Sequence, residues 1–180
     1  KLSIHLSAED WFGKALDKED IKKFIMEHFT VSWEYWYRFQ ISYLVRHRTF
    51  FGDIESWNVW GSIGLVQIRS LIEEINNNIS SLPKNYTDFY LYTLRHKPKR
   101  GINASSISDI SSIPRATVIR KLKTLEKNKH IMRNKRLEYF LAPKSDNLKG
   151  FEKNYLINQR RWSDYCTTMF NLMKFSKFSI

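Results

Sequence analysis

A single cysteine, Cys166, occurs in 180 residues, so the chain can form no internal disulfide and has no CxxC pair. That cysteine usage predicts a reducing, cytoplasmic setting. The five histidines, His5, His28, His47, His96 and His130, include no pair at helical i,i+4 spacing and have no cysteine partner. A zinc site needs three or four converging ligands, so no metal is expected. The longest stretch without a charged residue, Ser56 to Ile68, falls well short of the roughly 20 apolar residues of a membrane helix. Apolar and charged residues alternate from Lys1 to Asp20, so no signal peptide is expected there. P-loop, GxGxxG and Ser-His-Asp patterns are missing too. Glu34, Asp53, Glu55, Glu73 and Glu74 read as helix caps and exposed helix faces, and "GSIG" as close packing inside an apolar helix. The expectation is a protein that is not an enzyme and needs no cofactor.

Acidic residues are scarce in one segment. Residues 95–136 hold 13 Lys or Arg and 2 Asp or Glu, a net of +11 in a chain whose total is +12. Residues 1–94 are nearly balanced, at −2, and residues 137–180 carry +3. A general bias toward lysine would spread the charge, whereas a localised basic patch is the footprint of a polyanion binder.

With 42% hydrophobic and 15% aromatic residues, the chain is expected to fold around a real core. Ser7 and Asp10 predict a short helix over "SAEDWFGKAL". Asp17 or Asp20 opens one long helix through "IKKFIMEHFTVSWEYWYRFQISYLVRHRTFF", with Gly52 as its C-cap. Arg46, His47 and Arg48 then serve the helix's C-terminal dipole. Within it "WEYWYRF" is apolar on nearly every side, which predicts burial between layers or subunits. Asp53 caps a further helix whose stripe is Ile54, Trp57, Ile68, Leu71, Ile72 and Ile75, with Asn76, Asn77 and Asn78 beginning the exit loop. A helix over "YTDFYLYTLRHK" follows, broken by "PKRG".

Asn103 caps a short helix, "ASSISDI"; Ser111, Ser112 and Ile113 make a tight turn, and Pro114 suits the start of the next helix. There Val118, Leu122 and Leu125 fall at i, i+4 and i+7 and face the core, while Thr117, Arg120, Lys121 and Thr124 are expected to face outward, flanked by Arg115 and Lys123. "HIMRN" and "LEYFLAP" read as two short strands around a basic turn at Asn134, Lys135 and Arg136. Two short helices on a tight turn, followed by a hairpin, have the pattern of a winged helix-turn-helix. A helix of this kind fits the major groove, where arginine can bond guanine in bidentate fashion, while lysines neutralise phosphates.

The stretch "SISDISSIPRATVIRKLKTLEKNKHI" resembles the winged helix-turn-helix of bacterial transcriptional regulators, in the broad group that includes the MarR type. The resemblance covers roughly residues 85–143 and is most specific in the Ile-Pro-Arg-x-Thr-Val-x-Arg-Lys-Leu core, Ile113 to Leu122. It implies that Arg115, Thr117, Arg120 and Lys121 face the DNA, with Lys135 and Arg136 on the wing; Ser112 and Lys123 complete the candidate DNA-binding set. Three features depart from the pattern: Ser112 stands where glycine is frequent, Ala116 replaces a frequent polar residue, and the wing is short.

The expected architecture is mainly α, with a winged helix-turn-helix bearing a small β-hairpin and with N- and C-terminal helices forming a dimerisation layer. The expected divisions are an aromatic-rich helical region at 1–82, a DNA-binding domain at 83–145, and a C-terminal amphipathic helix at 146–180. In that last helix Phe151, Tyr155, Trp162, Tyr165, Met169 and Met173 form one stripe. Trp33, Trp36, Tyr37, Trp57, Trp60 and Trp162 are candidates for a dimer interface or a small-molecule effector pocket. The expected function is a sequence-specific, duplex-DNA-binding regulator acting as a homodimer. A protein-interaction adaptor on a winged domain and a non-specific architectural DNA binder are the alternatives.

Overall fold

The computed structural model describes residues 17–78, 88, 101–142 and 148–175. The expected helices over "SAEDWFGKAL" and "YTDFYLYTLRHK", and Pro143 after the hairpin, lie outside those residues, Asp88 apart. The described chain is mainly helical. In order come α1 (Lys18–Glu27), α2 (Phe29–Phe51), α3 (Ile54–Asn78), α4 (Ala104–Ser111), α5 (Arg115–Lys127), strands β1 (Ile131–Arg133) and β2 (Tyr139–Leu141), and α6 (Leu148–Phe175). None of these helices is long and apolar enough to cross a membrane.

Local chemistry accounts for the helix ends. Asp17 caps α1 in a reciprocal capping box with Asp20. Gly52, at φ 86, turns the chain after α2 in a conformation that glycine adopts freely. Asp53 then accepts the Ser56 N–H at 2.7 Å and the Ser56 hydroxyl at 2.9 Å. Asn103 caps α4 by accepting the Ser106 N–H at 2.9 Å. Three local features differ from the sequence expectation. The long N-terminal helix breaks at His28, which leaves the helical region at φ −110, ψ 35. No proline or glycine causes the break; it accompanies the full burial of Phe24. Helix α3 continues through Asn78, since asparagine carries only a modest helix penalty. Close packing does not explain the two glycines of "GSIG": a Cβ on Gly64 would meet Leu141 Cδ1 at an ordinary 3.7 Å, and one on Gly61 would have no atom within 4 Å.

The chain forms two compact units, Lys1–Tyr43 with Ile157–Ile180, and Leu44–Leu156. In the first, Phe24, Met169 and Met173 are buried together, with Ile25, Tyr165 and Leu172 packed against them. Beside them stands an aromatic group: Phe39 lies 5.1 Å from Trp162, and Trp36 meets Tyr165 edge-on at 6.0 Å. Within this unit the C-terminal stripe packs on both N-terminal helices, Met169 and Met173 against Phe24 of α1 and Trp162 and Tyr165 against the aromatic rings of α2. The opposite side of α2 is exposed among the described residues. Phe29, Trp33, Tyr37 and Ile41, at successive i+4 spacings, are 58%, 36%, 53% and 59% exposed.

The second unit is built around Val59, Ile63, Ile107, Ile113, Val118, Leu122, Leu125 and Ile131. Helices α3, α4 and α5 pack mutually, and β2 lies on α3. The strands pair antiparallel, Met132 opposite Phe140, and Ile102 adds an isolated bridge to Tyr139. Gly101 makes that bridge possible, because a Cβ there would fall 2.5 Å from Phe140 Cζ and 2.7 Å from Glu138 Cβ. Of the expected α3 stripe, Leu71 is buried and Trp57 packs on the core, but the main buried line lies elsewhere. Ser56, Val59, Ile63 and Gln67 face inward, whereas Ile68 and Ile72 are about two-fifths exposed. Gln67 is buried because its Oε1 accepts the Leu141 N–H at 2.9 Å, closing a strand edge.

Candidate nucleic-acid interface

Serine chemistry shapes the turn between α4 and α5. Ser112 takes the left-handed conformation, φ 56 and ψ 23, that glycine would enter at lower cost. Around it the Ser111 hydroxyl donates to the Ile107 carbonyl at 2.7 Å, and the Ser108 hydroxyl donates to the Ile113 carbonyl at 2.6 Å. The turn is thus tied by side chains from the preceding helix. Pro114 is the N-cap of α5, one residue earlier than a first-turn position, and supplies no side-chain cap. With no acidic residue in that first turn, its N–H groups and Arg115 present an electropositive end suited to an anion.

Helix α5 buries Val118, Leu122 and Leu125, all at 1% exposure or less, as their spacing requires. Arg115, Ala116, Arg120, Lys123, Thr124 and Lys127 are exposed, and Thr117 is half-buried. Among the described residues, Arg115, Arg120, Lys123 and Lys127 take part in no ion pair. Lys127 lies on the same outer face as Arg120 and Lys123, at i+7 and i+4 from them. Lys127 is absent from the expected DNA-binding set, although the helical period places it beside Arg120 and Lys123.

Lys121 points elsewhere. Its side chain is only 13% exposed, and its Nζ lies 2.8 Å from Asp53 Oδ1 and 3.1 Å from Glu55 Oε2. Burial alone would lower the Lys121 pKa, but the two carboxylates outweigh it and hold the ammonium above its ordinary value. For Asp53 burial would raise the pKa, and the bonds from Lys121 and Ser56 bring it below the usual carboxylate range. The expected outward direction is corrected for a geometric reason. Position 121 lies roughly 70° from the centre of the Val118–Leu122–Leu125 face at 100° per residue, on its margin.

The hairpin follows α5 through Lys129, at φ 57, and His130, whose N–H donates to the Leu125 carbonyl at 2.9 Å. His130 is 8% exposed beside Phe50 and Phe51, and burial lowers its pKa. Arg133 reaches Glu126 at 3.6 Å, linking β1 to α5. Lys135 and Arg136 are exposed in the turn between the strands. Turn, outer helix face and hairpin tip therefore belong to one compact unit. Seven of the eight expected DNA-binding residues, all but Lys121, lie on them without an ion pair among the described residues.

The six aromatic candidates occupy different settings. Trp33 and Tyr37 are in ring contact at 5.3 Å along the uncovered side of α2. Trp36 and Trp162 both contact the Tyr165 ring, and Trp162 stays 47% exposed. Trp57 and Trp60 stack on each other at 5.4 Å against the core of the second unit. A depression of about 340 Å³, lined by Val45, Arg46, Thr49, Phe50 and Asn154, includes none of them. His47 departs from its expected role at a helix end. It is 3% exposed and stacks on Trp57 at 3.9 Å, 10° from parallel. Burial, reinforced by Arg46, lowers its pKa from 6.5 to about 4. The ring is neutral near pH 7 and adds no charge to the dipole.

No protein-family model, curated protein or solved structure matches the chain.

Proposed function

We propose that this protein is a sequence-specific, duplex-DNA-binding transcriptional regulator of broadly MarR-like type, acting as a homodimer. The reading treats α4, α5 and the hairpin as a winged helix-turn-helix, with α5 entering the major groove. One observation carries it: the N-terminus of α5 presents Arg115 and its outer face presents Arg120, Lys123 and Lys127, with no neutralising carboxylate among the described residues. The Ile102–Tyr139 bridge, which adds a third extended segment to the hairpin, supports the winged form. On this reading Arg115, Thr117 and Arg120 read or flank bases, and Lys123, Lys135 and Arg136 hold phosphates. Lys121 serves the fold rather than the DNA. The uncovered row Phe29, Trp33, Tyr37 and Ile41 is the natural seam for a second copy, since contiguous exposed apolar patches mark association surfaces. A dimer would place two recognition helices about 34–36 Å apart on a near-palindromic site.

The test is selection from genomic fragments, then affinity against salt for the best fragment and a scrambled one. A steep negative slope with clear preference for the selected fragment supports a sequence-specific regulator. Equal affinity and slope on both would make it an architectural binder, and no binding at low salt would direct the search to protein partners. Arg120→Ala is expected to relax preference at one base step and cost about 1–3 kcal/mol. Equal loss on every sequence would make Arg120 a phosphate contact.

A further inference from the structure

The tip of the β1–β2 hairpin carries an apolar side chain where a solvent turn would more readily take glycine or asparagine. Leu137 lies at φ 59, in the left-handed region that disfavours a branched side chain, and it is 60% exposed. Lys135 and Arg136, immediately before it, are exposed as well.

The turn that presents Leu137 is firmly bonded. Asn134 Oδ1 accepts the N–H groups of Arg136 at 2.9 Å and Glu138 at 3.0 Å. Asn134 Nδ2 donates to the Glu138 carboxylate at 2.7 Å, and the Leu137 N–H donates to the Asn134 carbonyl at 3.1 Å. Behind the tip, Arg133 with Glu126 and Gln67 with Leu141 anchor both strands. A rigid, anchored hairpin thus holds one apolar side chain at its apex beside two cations. Leu137 is too exposed to serve the core, and the adjacent charges select a polyanion as the surface it meets.

We propose that Leu137 is a wedge that enters the minor groove of the bound duplex and partly unstacks one base step, with Lys135 and Arg136 on the flanking phosphates. The inference rests on the DNA-binding reading above. Apolar wedges of this kind kink a duplex toward the major groove. Pyrimidine–purine steps unstack most easily, so Leu137 would create a preference for TA or CA steps flanking the major-groove site, with no hydrogen bond to a base.

The experiment uses the full chain and the duplex recovered by genomic-fragment selection, with 2-aminopurine replacing adenine at successive steps through the flank. Unstacking raises the fluorescence of the probe, and circularly permuted fragments report bending. Wild type is expected to brighten the probe at a single flanking step and to bend the fragment. Leu137→Gly, which also relieves the positive φ and so keeps the hairpin folded, is expected to lose both signals. Its slope of log affinity on log salt should stay that of wild type, because the phosphate contacts remain. Leu137→Met is expected to retain both signals. Wild type that binds without brightening or bending, or a Leu137→Gly variant that still does both, overturns the wedge and leaves the DNA-binding reading standing. Wild type that binds no duplex at low salt overturns both.

Discussion

Replacing Lys121 by methionine removes the ammonium that bridges Asp53 and Glu55 while keeping most of the aliphatic stem. The donor is well enclosed, at 13% side-chain exposure, but its acceptors are 43% and 51% exposed. A protected charge-assisted hydrogen bond contributes about 1.5–3 kcal/mol and an exposed ion pair about 0.2–1 kcal/mol, so this half-screened cluster should contribute about 1–2 kcal/mol. The expected outcome is a destabilisation of that size in urea unfolding at pH 7, with a melting point lower by roughly 2–8 °C. The pH dependence has a definite sign. Asp53 has a depressed folded pKa, so its contribution is full above about pH 4 and is lost as the pH falls further. Lys121 has a raised folded pKa, so its contribution is full below about pH 10 and is lost above it. The gap between wild type and Lys121→Met should therefore close in acid. Duplex affinity should fall less than it does for Arg120→Ala. A Lys121→Met variant of unchanged stability that loses tenfold or more in DNA affinity would refute this account and return Lys121 to the DNA face.

Three other outcomes follow from buried and exposed positions. His47 has a folded pKa below its unfolded value, so the unfolded chain binds the extra proton between pH 6.5 and about 4. Stability should fall by up to roughly 3 kcal/mol as the pH drops through that window, and His47→Phe should flatten the part that survives in a His130→Phe background. Gly101→Ala should cost about 1–3 kcal/mol in thermal unfolding, because its Cβ would collide with the Phe140 ring and with Glu138 Cβ, which no rotamer change can move aside. Ile41→Glu should leave the chain folded, since Ile41 is 59% exposed, and on the proposed homodimer should shift sedimentation from dimer to monomer. An unchanged sedimentation coefficient would remove the α2 row from the interface.

Short-range chemistry was legible in the order of residues. Asp17, Asp53 and Asn103 cap helices because their carboxylate or amide oxygens reach N–H groups two or three residues on, whatever else surrounds them. The face made by Val118, Leu122 and Leu125 follows from the helical period, and the same period places Arg120, Lys123 and Lys127 opposite it. Charge was equally plain, because the crowding of lysine and arginine into residues 95–136 is a property of composition.

What the tertiary structure alone decided were the partners of residues whose local pattern fits more than one environment. Gln67, a polar residue outside the expected α3 stripe, is buried because it accepts the Leu141 N–H of β2, 74 positions away. His47 reads as a helix-end cation until Trp57 covers it and makes the charged form too costly to desolvate. Lys121, at the margin of the α5 core face, could turn toward solvent or inward, and the two carboxylates of the α3 N-terminus settle that choice. In each case the deciding partner lies ten or more positions away in sequence, beyond the reach of a local period or spacing.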